Sequence, residues 1–209
     1  MTVLHYSCAL LLSAFLLALQ APAARAVDLF GSSETESGDL SPFPKWTGVM
    51  RKQPAAIRKM EKDCDESGCL KEKWDALIES VKSSASSEQI REVNSYHNKI
   101  PYVEDMVNWG KNDYWETLHE FLRRHGDCED YAISKYYTLR QLGFPPDQMR
   151  IVILKDRNLG VMHSVLAVYN DGTALILDNQ FSSVVDHKKI RHYEPVYSIN
   201  EHNWWRHHI

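Results

Sequence analysis

The sequence predicts an α+β domain in which N-terminal helices are followed by an antiparallel sheet. Three observations carry this. Apolar residues recur at helical spacing from Trp46 to Gly143, short apolar runs bounded by turn residues take over after Pro145-Pro146, and Asn170-Asp171-Gly172 joins two of those runs as a hairpin turn would. Taken in order, the periodicity predicts a helix from Trp46 through Met60 and a second around Leu70 to Ser83. A third runs from Ser87 to about Asn98, where Ile90, Val93 and Asn94 share a face, and Ile100-Pro101-Tyr102 breaks it. Thr117 to Arg124 forms a short helix. The main helix starts around Cys128 and ends at Gly143, with Tyr136 and Leu139 extending the face begun by Ala132. Strands are predicted at Arg150 to Lys155, Met162 to Tyr169, Thr173 to Asp178 and around His192 to Ile199. Trp204-Trp205 is read as packed rather than as a partner surface. No internal repeat or low-complexity tract interrupts the pattern.

A chain of 209 residues with 44% hydrophobic content and six tryptophans suits one domain with an ample core. Ala9 to Leu19 is almost uninterruptedly apolar and Ala24-Arg25-Ala26 offers small residues at a cleavage point, so residues 1–26 read as a secretory signal. That run is short for a spanning helix, and no later segment could cross a bilayer. A basic n-region is missing, which keeps an uncleaved anchor as the alternative. Residues 27–44, rich in Ser, Gly and acids, read as a flexible leader, and residues 45–209 as the functional domain. Removing residues 1–26 takes away Arg25 and no acid, so the formal charge moves from -4 to -5, a balance that attracts no nucleic acid.

The chemistry concentrates at Gly126-Asp127-Cys128-Glu129-Asp130-Tyr131-Ala132, where a lone thiol stands among three carboxylates at a loop-to-helix junction. Helix entry supplies free N–H groups and a positive dipole end that favour thiolate, while the acids oppose it. Such a thiol needs a base and an orienter. The hairpin offers both, because His163 starts its first run and Asp178 ends its second. If Asn170-Asp171 are the loop residues, the two lie directly opposite; if Asp171-Gly172 are, they are diagonal neighbours on one face. A three-residue loop would separate them onto opposite faces. Cys128, His163 and Asp178 thus stand in an order suited to nucleophile, base and orienter.

These segments resemble the bacterial transglutaminase-like cysteine proteinases, the LapG-type periplasmic proteases most closely. The resemblance rests on Asn112-Asp113-Tyr114-Trp115-Glu116-Thr117, the Gly126 to Ile133 segment with Lys135-Tyr136, the His163 strand, Leu177-Asp178-Asn179, and Pro195-Val196-Tyr197-Ser198-Ile199-Asn200. It spans about Trp46 to Trp205. Departures are Ser164, where a methionine is expected, and Leu118, where a proline is common. The resemblance implies a papain-like or transglutaminase-like fold with a Cys-His-Asp triad, acting in the periplasm on a large surface adhesin near its membrane-retention end. It further implies a calcium ion (Ca2+) held beside the nucleophile by acids of the Asp127 to Asp130 segment, and control by an inner-membrane receptor for cyclic di-GMP.

By spacing alone, Asp127, Glu129 and Asp130 are either a solvated helix start that complements the dipole or oxygen ligands for a hard cation; the resemblance favours calcium. His192, His202, His207 and His208 lack metal-gathering spacing and read as solvent-facing. Cys8 leaves with the signal, so in an oxidising compartment Cys64 and Cys69 can close a short loop while Cys128 stays free; the alternative is two reduced thiols near a helix end. The same triad serves transglutaminases and amidases acting on cell-envelope substrates, and only the resemblance selects hydrolysis. From another class, a non-catalytic calcium-dependent interaction protein would use Cys128 structurally.

Overall fold

The computed structural model describes residues 28–66 and 68–209. The signal segment expected over residues 1–26, with Cys8, lies outside the described residues. Six helices are present among them: α1 (Pro44–Met60), α2 (Leu70–Val81), α3 (Ser86–His97), α4 (Asp105–Trp109), α5 (Leu118–Arg124) and α6 (Cys128–Gln141). The strands are β1 (Ser33–Ser37), β2 (Cys64–Asp65), β3 (Gly68–Cys69), β4 (Met149–Asp156), β5 (Val161–Asn170), β6 (Thr173–Leu177), β7 (Val185–Asp186), β8 (Tyr193–Ile199) and β9 (Trp204–His208). Seven form one antiparallel sheet in the order β1-β9-β8-β4-β5-β6-β7, while β2 and β3 pair separately and carry the Cys64–Cys69 disulfide. The α+β expectation holds, with α4, β1, β7, β9 and the small β2–β3 hairpin added to it.

Both faces of the central strands are buried, which is why β4 and β5 read as apolar runs rather than as alternation. On one face Ile151, Leu166 and Val168 meet Trp46, Ile133 and Tyr136 from α1 and α6. On the other, Val152, Leu154, Val165 and Ala167 meet Leu29 and Tyr193. Pro44 opens α1 at a position where its missing N–H costs nothing, and Trp46, Val49, Gln53, Ala56 and Met60 form the buried stripe at three- and four-residue spacing. Helix α5 starts with a reciprocal cap: the Thr117 amide donates to Glu120 Oε2 at 2.8 Å, and the Glu120 amide donates to Thr117 Oγ1 at 3.4 Å.

The flexible leader expected over residues 27–44 is corrected by the structure. Leu29 is fully buried, and Ser33–Ser37 pairs with β9 as an edge strand. The sequence hides this because β1 is polar throughout. Beside its ladder with β9 it carries a buried ion pair, in which Arg150 Nη1 donates to Glu34 Oε2 at 2.7 Å. The guanidinium lies 3.5 Å over the Trp205 ring and 5.0 Å over Tyr169. Trp205 is therefore packed as expected, and Trp204 meets Phe43 at a ring separation of 5.0 Å.

His207 is also corrected. It is buried, with Nδ1 at 2.7 Å from Ser32 Oγ and Nε2 at 3.0 Å from Ser198 Oγ, and burial lowers it to about 4. Polar partners on β8 and beside β1 made an inward-facing histidine acceptable, a fact no local pattern carries. His202 and His208 are exposed as expected; His192 is half-buried.

Arg150→Ala leaves the Glu34 carboxylate buried without its cation, and should lower unfolding free energy by about 3 kcal/mol, read by urea titration.

Candidate active site

Gly126 lets the Cys128 segment close on itself. A Cβ at this position would collide with the Asp130 carboxylate, and that carboxylate's Oδ2 accepts from the Asp127 amide at 3.2 Å, capping α6. Cys128 therefore stands as the first residue of α6, at the end where amide donors are free. It is the free cysteine among the described residues, as expected, since Cys64 and Cys69 are bridged.

The hairpin takes the second of the three registers left open. Asn170 pairs with Thr173, so Asp171 and Gly172 form the loop, both with positive φ as a tight turn of this hand requires. His163 and Asp178 become diagonal neighbours, and His163 Nε2 lies 3.0 Å from Asp178 Oδ1. Asp178 Oδ1 also accepts from the Gln180 amide at 2.8 Å, and Oδ2 from the Tyr193 hydroxyl at 2.6 Å. Asn98, just past α3, donates to the Asp178 carbonyl at 2.7 Å. Burial alone would raise the Asp178 carboxyl; the hydrogen bonds from His163, Tyr193 and Gln180, with the His163 charge, hold it below the ordinary carboxylate value. Since Nε2 faces Asp178, Nδ1 is the imidazole nitrogen left to exchange a proton elsewhere.

Cys128 and His163 line one cleft of about 710 Å³, walled by Phe43, Trp115, Ile153 and Tyr197 and rimmed by the half-exposed Tyr102 and Met162. Ser164, at the departure noted above, is buried in the cleft wall with its hydroxyl toward the thiol. Burial, then the Glu129 and Asp127 charges, push the Cys128 thiol up, and the Ser164 hydroxyl opposes them. Two turns along α6, Lys135 is fully buried with no hydrogen-bond partner for Nζ among the described residues. Burial lowers it to about 7 against the pull of Asp178.

The three acids expected as one ligand set do not form one group. Asp127 and Asp130 join Asp105, their carboxylate oxygens all within 4.8 Å, whereas Glu129 groups with Asp127 and Cys128 and lies 3.3 Å from the thiol through Oε2. Asp105, supplied by α4, was missed; an acid opening a five-residue helix gives no spacing signal linking it to Cys128. Glu116 closes the cluster. Its amide donates to Asp130 Oδ1 at 2.8 Å and its Oε1 accepts from Asn108 Nδ2 at 3.0 Å and from the Trp109 indole.

The cluster is short of positive charge. Burial first, then the neighbouring carboxylates, push Glu116 up to about 8, Asp130 well above its usual range, and Asp105 and Asp127 upward. Glu129 is pushed up to about 9 by burial and Asp127. Buried oxygens Asp105 Oδ1, Asp127 Oδ1 and Glu116 Oε2 have no hydrogen-bond partner among the described residues. The convergent carboxylates of Asp105, Asp127 and Asp130, two of which keep a bare, buried oxygen, fit a hard divalent cation.

The chain matches, over residues 52–207, the family described as bacterial transglutaminase-like cysteine proteinase, BTLCP. It is similar to the calcium-bound LapG of Legionella pneumophila, with 34% identity over 73% of this chain and 86% of that one, at a TM-score of 0.64. The EGTA-treated LapG of the same organism is 32% identical over 77% of this chain and 86% of that one, at a TM-score of 0.61. No curated protein matches the chain.

In cation-free protein the raised Glu116 carboxyl binds its proton more tightly folded than unfolded, so its contribution to stability is lost as pH rises from about 4.5 to about 8. Glu116→Gln removes that loss. Urea unfolding in chelator should show the variant gaining stability over wild type across this window.

Proposed function

Because the chain belongs to the bacterial transglutaminase-like cysteine proteinases, we propose that it is a calcium-dependent cysteine endopeptidase of LapG type. In this reading it works in the periplasm and cuts a large cell-surface adhesin to release it during biofilm dispersal, under control of an inner-membrane receptor for cyclic di-GMP. The observation that carries the chemistry is the hydrogen-bonded His163–Asp178 pair opening on the same cleft as the lone thiol of Cys128. Export is supported by the apolar N-terminal run and the disulfide, and no helix among the described residues is long and apolar enough to cross a membrane. The substrate, the receptor and the compartment rest on the likeness to LapG.

Asp178 holds the imidazole with its proton on Nε2, leaving Nδ1 to take the Cys128 proton as the thiolate attacks a peptide carbonyl. The Cys128 amide, free at helix entry, points donor character at the oxyanion that forms. His163 then returns its proton to the leaving amine. A thioester remains on Cys128, and water activated by His163 hydrolyses it to free the second product and restore the thiol. Asp105, Asp127 and Asp130, with Glu116 behind them, are the residues that would hold calcium, which supplies the positive charge that lets a thiolate exist beside Glu129 and Asp127. Glu129, the third acid of the expected set, lies beside Asp127 and 3.3 Å from the thiol.

Incubation with an adhesin fragment separates the readings: a cut polypeptide supports the peptidase, a crosslinked product a transglutaminase, and binding without covalent change an interaction protein. Cys128→Ala and His163→Ala should abolish cleavage, while Asp178→Ala should lower it strongly but leave a residue, because an orienter is less indispensable than the nucleophile or base.

Chelation by EGTA should abolish turnover, and Asp105→Asn should raise the calcium concentration needed to restore it. Magnesium should substitute poorly, since it demands compact octahedral geometry and keeps its waters. Full activity in excess EGTA would contradict the calcium requirement.

A further inference from the structure

We propose that Tyr193 is a positioning residue of this site: its phenol O–H fixes the second oxygen of the Asp178 carboxylate while its ring braces the His163 imidazole. The inference rests on the peptidase reading above and adds a side chain from a third element to the pair supplied by the β5–β6 hairpin.

Four observations carry it. The Tyr193 hydroxyl donates to Asp178 Oδ2 at 2.6 Å, and both side chains are buried. Oδ1 is occupied by His163 and the Gln180 amide, so without the phenol Oδ2 would be a bare, buried anion oxygen and the carboxylate could turn about its Cβ–Cγ bond. The Tyr193 ring also lies 5.8 Å from the His163 ring at an interplanar angle of 59°, which limits imidazole rotation. Finally, Tyr193 itself has no room to move: Phe181 stacks on it at 6.3 Å, His192 lies edge-on at 4.6 Å and Phe30 at 5.8 Å.

The topology gives these contacts their purpose. Asp178 follows β6 and His163 lies on β5, and the β5–β6 ladder ends at Leu166 and Leu177, short of both, while β4 holds the His163 side. Tyr193 begins β8, which pairs with β4 on the other side of β5 and sits opposite Asp156. One phenol therefore ties the end of the hairpin to the far half of the sheet. Burial, followed by the facing Asp178 charge and hydrogen bond, pushes the phenol up, so it remains a donor throughout the working pH range. The other charged or titratable groups facing the pair are His192 beside β8, Lys135 from α6, Asp156 from β4 and the Cys128 thiol.

Tyr193→Phe keeps the ring and its box and removes one donor. Turnover per alkylatable thiol should fall about tenfold with KM unchanged, the size expected for losing one hydrogen bond to a charged group. The acid limb of kcat/KM should also move to higher pH, because Asp178 loses one of the donors that hold its carboxyl down. A second readout needs no proteolysis. In a Cys128→Ala background the low-field Nε2 proton resonance of His163 should move further downfield on Tyr193→Phe, since the carboxylate then concentrates more charge on the imidazole. A folded variant with an unmoved acid limb and an unmoved resonance would overturn the proposal, whatever its turnover. A moved resonance in a protein that cuts no adhesin would uphold the positioning role and reject the peptidase reading instead.

Discussion

The structure turns on a charge conflict at the first turn of α6. Helix entry favours a thiolate at Cys128, yet Glu129 and Asp127 sit beside it, and Asp105, Asp130 and Glu116 crowd behind. Coulomb repulsion among several partly buried carboxylates far exceeds what one helix terminus can offset, since a macrodipole contributes about 1 kcal/mol. Protonating the acids would relieve the strain and keep the thiol neutral. A bound divalent cation would relieve it while keeping the Cys128 thiol available, and this is how the bare oxygens of Asp105 and Asp127 bear on the chemistry of Cys128.

Everything around that turn serves to hold it. Gly126 admits the Asp130 carboxylate, the short helix α4 brings Asp105 in, and the Asn112 to Thr117 segment lays the Glu116 amide on Asp130. The sheet delivers the other half of the site through a two-residue turn, Asp171-Gly172, whose length decides that His163 and Asp178 share a face. On the opposite edge, the Glu34–Arg150 pair braces β1. The turn ahead of β1 places Phe30 against Tyr193, so packing from the N-terminal segment reaches the Asp178 carboxylate through one ring.

The parts legible in the sequence were those written in local patterns. Helix periodicity and capping placed α1, α2, α3, α5 and α6, and the apolar runs placed β4, β5, β6 and β8. Cys128, His163 and Asp178 stood out because a lone thiol among acids and a histidine–aspartate pair across a hairpin are each unusual. Asp105 and Tyr193 did not, because their contacts exist only after distant segments meet. Strand β1 was invisible for a related reason: Ser33–Ser37 carries no apolar alternation, and its partners, β9 and the Arg150 guanidinium, lie far along the chain. Glu129 was grouped with Asp127 and Asp130 by adjacency, whereas in the structure it groups with Asp127 and the Cys128 thiol.

The central claim, that a cation at Asp105, Asp127 and Asp130 sets the reactivity of Cys128, is tested most directly by the alkylation rate of that thiol at fixed pH as free calcium is varied. The account predicts a rate that rises with calcium and saturates along the same curve as calcium binding measured by calorimetry, with both curves shifted to higher concentration in Asp105→Asn. A rate independent of calcium in a protein that demonstrably binds it would contradict the account.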